Sequence, residues 1–159
     1  MFQESIAEAI GHLTNAPLRL RGLLDGMDAA KMRVRPKPGV FSPLEDAWHL
    51  RDIETEGYLV RIRRILAEDM PVLEDLDGDQ MAIARRYNEL DPARAIAEFA
   101  GARALSLTLL NGLAADAWAR RAYHANRTLD LRELIKSMVE HDHAHLSSIE
   151  GIYVTSVAA

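Results

Sequence analysis

"LRELIKSMVEHDHAHLSSIEGIY", residues 131–153, reads as one long helix whose inward face carries histidine. At about 100° per residue, Leu131, Leu134, Ile135, Met138, Leu146, Ile149, Ile152 and Tyr153 cluster on one side. His141 and His145 are four residues apart, so they stack within or beside that apolar stripe. His143 is about 200° from His141 and points away. Two imidazoles one turn apart can chelate a single ion, and they can equally be ordinary core-edge histidines bonded to backbone or water. Asp142 projects into the middle of the same stripe. A carboxylate there is costly unless paired, so it is expected either to orient an imidazole or to cap a neighbouring helix. "HDHAH" lacks the glutamate that follows the first histidine of the zincin motif, and that mechanism does not carry over.

Working outward, Asp130 and Glu133 form a capping box ahead of this helix. "SPLE", residues 42–45, is a second start signal, with Ser42 as cap, Pro43 in the first turn and Glu45 closing the box. That helix is expected to run to about Ala67. "DP" at 91–92 opens another, to about Leu113. The first helix covers about 2–25 on the stripe Ile6, Ile10, Leu13, Leu20 and Leu24, and Pro17 should kink or interrupt it. An acidic loop at 69–79 and a short helix at 80–88 fill the longer connection between helices two and three. Residues 114–127 read as irregular, with Trp118 and Tyr123 as anchors. The expectation is an all-α, up-down-type four-helix bundle forming a single domain over residues 1–159.

Composition narrows the function. The chain has 159 residues, a net charge of −5 and no cysteine. Without a basic field, nucleic acid is not an expected partner. No apolar run approaches the roughly 20 residues of a membrane span, and the first residues lack the form of a signal peptide, so a cytoplasmic protein is expected. Any metal site must be built from His, Asp and Glu, and any thiol chemistry needs a thiol brought by a small molecule. Candidates for a third ligand are His12, His49 and His124. His49 has Glu45, Asp52 and Glu56 around it on one helix face, and periodicity leaves it at the edge of the core. Asp52 or Glu56 could serve as a general base, with nothing to single out either.

"RPKPGVFSPLEDAWHLRDIE" at 35–54, followed downstream by "TLDLRELIKSMVEHDHAHLSSI" at 128–149, resembles the DinB/YfiT-like superfamily of metalloenzymes. The likeness spans nearly the whole chain and includes "HLRDIE", "RALSLTLL" and "HDHAHL". Phe41 stands where many relatives have tryptophan. The resemblance implies a four-helix bundle, often a homodimer, with three histidines around one divalent ion. The family's helix-two histidine falls on His49, and its paired histidines fall on His141 and His145. The ion implied is Zn, Ni or Fe, since imidazole suits all three. Some relatives transfer low-molecular-weight thiols, and many have no known activity. A water- or thiol-activating enzyme acting on a small molecule is therefore expected, with a non-catalytic, ligand-binding dimer as the alternative. Leu105, Leu109 and Leu113 recur on one side of the third long helix and are the expected dimer face.

Overall fold

The computed structural model describes the backbone of residues 2–158 and the side chains of residues 6–153. Four long helical units form the bundle. The first is α1 (Phe2–Asp25). The second joins α2 (Pro43–Asp52), a π-helical segment (Ile53–Tyr58) and α3 (Leu59–Ala67) without a break. The third is α5 (Pro92–Leu110) and the fourth α7 (Leu131–Ala158). Short α4 (Gly78–Ala84) and α6 (Ala115–Trp118) lie in the connections. Both α1 and α2 pack chiefly against α5 and α7, so the first and second bundle helices face each other across the diagonal. Among the described residues, no helix is long and apolar enough to cross a membrane.

Local chemistry accounts for the helix starts. Ser42 and Glu45 close a reciprocal capping box, with Pro43 in the first turn. Asp91 caps α5 ahead of Pro92. Asp130 and Glu133 exchange side-chain and backbone hydrogen bonds at the head of α7. The structure departs from the sequence expectations in several places. Pro17 does not interrupt α1. A proline cannot donate to the carbonyl four residues before it, and here that carbonyl, on Leu13, accepts from the buried Arg103 guanidinium at 2.8 Å. The third long helix stops at Leu110, so Leu113 lies beyond it. Residues 121–130 form a β-hairpin, β1 (Arg121–His124) with antiparallel β2 (Arg127–Asp130). Its two-residue turn holds Ala125 and Asn126 at φ 49° and 62°, both left-handed, as a tight hairpin needs. Trp118 is buried as expected, whereas Tyr123 is 40% exposed and anchors through its backbone instead. The Tyr123 N–H donates to Pro71 O, and its carbonyl accepts from Leu73 N–H, which ties the acidic loop to the hairpin.

The core falls into two apolar clusters. One contains Leu20, Leu50, Phe99 and Leu146, and the other contains Leu13, Ile53, Leu110 and Met138. Between them, on all four helical units, lies a polar waist. Arg103 donates to Asp142 at 2.7 and 3.0 Å and to Glu54 at 2.9 Å, and Ser106 donates to Glu54 at 2.7 Å. Burial pushes the Glu54 and Asp142 carboxyls up, and Arg103 opposes it. Asp142 is inward as its angle predicts, but its partner is neither an imidazole nor a helix end.

Candidate metal centre

Three imidazoles meet in this waist. His49 sits on α2, two turns past the Ser42 cap, and His141 and His145 sit on consecutive turns of α7. Ring centroids are 5.0 Å apart for His49 and His141, 4.4 Å for His49 and His145, and 4.6 Å for His141 and His145. The Nε2 atoms of His49 and His141 lie 2.9 Å apart. One nitrogen from each of the three falls within 4.8 Å of the others. His49 is buried, not at the core edge, because α4, α5 and α7 enclose α2. His141 and His145 are partly exposed, which gives the cluster one side toward solvent.

The surroundings hold the rings in place. The Oδ1 atom of buried Asp46 lies 2.6 Å from His145 Nδ1, which fixes the proton there and leaves Nε2 as a lone pair toward the other two rings. Phe41 packs against His49 at 5.3 Å and His145 at 6.3 Å. Arg35 lies 5.6 Å from the Phe41 ring centroid and forks onto Glu45 with two 2.8 Å bonds. Tyr58 stands edge-on to His141 at 5.7 Å. Gly78 packs against His49: a Cβ there would fall 2.8 Å from His49 Nδ1, so only glycine lets α4 approach this closely.

Burial, reinforced by His145, pushes His49 down to about 4 and His141 down to about 2. Both rings are therefore neutral at pH 7. Unfolded, each would protonate near pH 6.5. Below that value the unfolded chain takes up protons the folded chain refuses, so the stability of the metal-free fold is full above pH 6.5 and falls as pH drops toward 4. The raised carboxyls of Asp46, Glu54 and Asp142 act in the opposite sense at the acid end. Denaturant unfolding between pH 7 and 5 should thus register a loss on the order of 2 kcal/mol per histidine. A flat profile would contradict the burial of the neutral rings.

The other candidates are engaged elsewhere. Asp52 accepts from Arg51, Arg85 and the Tyr87 hydroxyl, and Glu56 is forked by Arg85, so neither proposed base is free. His143 is exposed and meets His12 edge-on at 5.0 Å. His124 pairs with Asp75 at 2.7 Å. Sequence reasoning missed Asp46, whose only signal is its position one turn before His49.

The sequence profile of the DinB superfamily matches residues 12–149. No curated protein sequence matches the chain. Among solved structures, YfiT from Bacillus subtilis superposes with a TM-score of 0.86 at 20% identity, over 92% of this chain and 84% of that one. YfiT is described as a probable metal-dependent hydrolase with an unusual four-helix bundle topology. A mycothiol-dependent maleylpyruvate isomerase superposes with a TM-score of 0.70 at 14% identity, over 90% of this chain and 60% of that one. At these identities the likeness is one of fold.

Proposed function

This chain belongs to the DinB superfamily, and from that membership and its imidazole cluster we propose a divalent-metal-dependent enzyme that activates water or a low-molecular-weight thiol against a small-molecule substrate. His49, His141 and His145 are the metal ligands in this reading. The observation that carries it is the packing of three imidazoles, two held neutral by burial, with nitrogens converging within 4.8 Å. Neutral imidazoles with converging ring nitrogens suit a cation, which can take the place of the proton shared between His49 and His141. The donor set suits Zn, Ni or Fe, and three protein ligands leave room for an exchangeable one.

A divalent ion held there supplies Lewis-acid chemistry, making a bound water or thiol more acidic. The protein's own part is positional. Asp46 fixes the His145 tautomer and ring plane, and Phe41 and Gly78 confine His49. The partly exposed edges of His141 and His145 leave an approach for substrate. The chain has no cysteine, so a thiol reaction would draw its sulfur from a cofactor such as mycothiol, on which the isomerase neighbour depends. The test is metal analysis of purified protein, then assays of ester and amide hydrolysis and of thiol transfer, with and without the metal. Activity that returns on reloading supports the reading. A metal-loaded protein inert in every assay favours the non-catalytic bundle.

Asp46→Ala should lower zinc affinity by about 10- to 100-fold, the usual effect of losing a carboxylate behind a ligating imidazole. Competition with a chromophoric chelator measures it, and an unchanged affinity would remove Asp46 from the site. We also propose an isologous homodimer through α5, supported by Leu105, which is 51% exposed with its apolar side chain uncovered. A monomeric mass by light scattering at micromolar concentration would count against it.

A further inference from the structure

A groove of about 560 Å³ runs between α7 and the linker that joins α1 to α2. Val34, Pro36 and Val40 line it on one side, and Ser148, Gly151 and Ile152 on the other. Sites for small molecules are of this kind: roughly 300–1,000 Å³, with mostly apolar walls and few polar groups. The space is open. Val34 is 62% exposed despite its apolar side chain, and a Cβ on Gly151 would meet nothing within 4 Å. Glycine is a poor choice inside a helix, and here its missing side chain keeps the groove clear.

The groove adjoins the three-histidine site on both of its walls. On α7, Ser148 and Ile152 follow His145 by three and seven residues, so all three share one side of the helix. Ile152 is about 10 Å farther along the axis than His145. On the linker, Val40 precedes Phe41, whose ring packs against His49 and His145. Ser148 is also close enough to Asp46, the carboxylate behind His145, to oppose the burial that pushes its carboxyl up. Asp46 is 1% exposed, and its Oδ2 has no hydrogen-bond partner.

Charge says what the groove suits. Residues 31–40 carry four cations, Lys31, Arg33, Arg35 and Lys37, and no acid, in a chain of net charge −5. Arg35 is taken up by Glu45, and Arg33 donates to the Ala29 carbonyl. Lys31 lines the groove, is exposed, and has no carboxylate partner among the described residues. We propose that the groove binds a small amphipathic anion, such as a medium-chain carboxylate, with its apolar body against Val40, Gly151 and Ile152 and its charged head on Lys31. The end away from the head then lies toward Ser148 and the histidines, which makes such an anion the substrate class. That catalytic meaning rests on the proposed metal-dependent function, whereas binding of the anion is measurable without the metal.

The experiment is titration of the metal-free protein with octanoate and with neutral 1-octanol, followed by the backbone amide signals in NMR. Octanoate should bind saturably and shift Val34, Val40, Gly151 and Ile152. Gly151→Leu fills the groove with a better helix former and should weaken both ligands at least tenfold. If that variant does not fold, the smaller Gly151→Ala takes its place and should weaken them less. Lys31→Gln should weaken octanoate about fivefold, the scale of an exposed ion pair, and leave octanol unchanged. Three results overturn the proposal: no saturable binding of octanoate, shifts centred instead on the separate cavity around Leu107 and Trp118, or wild-type affinity in the folded Gly151 variant. An equal effect of Lys31→Gln on both ligands overturns the anionic head. Zinc uptake by the same samples separates this claim from the metal reading. Octanoate bound in the groove of a protein that takes up no zinc would sink the metal reading alone, and zinc without octanoate would sink this one alone.

Discussion

His141→Ala should abolish stoichiometric zinc binding while His143→Ala leaves it intact, although the two residues are neighbours in one histidine-rich run. His141 is enclosed by His49, His145 and Tyr58, and removing it takes one of three converging nitrogens. His143 is on the outer face against His12. One helix cannot aim residues 141, 143 and 145 at one point, because two residues along is more than half a turn around. Removing exposed His143 should change stability by no more than about 0.5 kcal/mol. Zinc per chain, measured on variants purified identically, decides the matter. Loss of metal in His143→Ala with retention in His141→Ala would overturn the ligand assignment.

Arg103→Met should be the most destabilising single change outside the histidine cluster. The guanidinium holds Glu54, Asp142 and the Leu13 carbonyl together at the waist. Without it two carboxyls and a carbonyl are buried with no cation. Breaking a buried pair from one side costs about 3–5 kcal/mol. For a chain of this size that lowers the melting temperature by about 10 °C. The damage should reach the histidines too, because Asp142 adjoins His141 on α7. Thermal unfolding checks the first effect and zinc affinity the second. A melting temperature within 2 °C or so of wild type would mean that the network contributes little beyond apolar packing.

The parts of this fold legible in the sequence are those set by local chemistry. Ser42 with Glu45, Asp91 with Pro92, and Asp130 with Glu133 each satisfy backbone groups within one turn, so their residues announce a helix start. The inward angle of His141 and His145 follows from one uninterrupted helix. His49 was harder, because what buries it is distant in sequence: Gly78 on α4, and the rings of α7. The π-helical segment also breaks the single period on which any stripe across residues 43–67 depends. The hairpin escaped notice because Ala125 and Asn126 lack the glycine that usually marks such a turn. Asp142 was legible as inward, but its partner lies 39 residues away on α5. Asp46 gives no local signal of its partner, because His145 lies 99 residues away on α7. Asp52 and Glu56 looked free because Arg85 is 33 and 29 residues from them.

The most direct test of the three-histidine centre is a zinc titration of metal-free protein, followed by long-range proton–nitrogen NMR of all six imidazoles. The geometry predicts that Nε2 of His49, His141 and His145 moves together and saturates at one equivalent, with the proton of His145 staying on Nδ1 against Asp46. His12, His124 and His143 should not move below that point. Saturation involving His143, or a shift of His141 and His145 that leaves His49 unchanged, would contradict it.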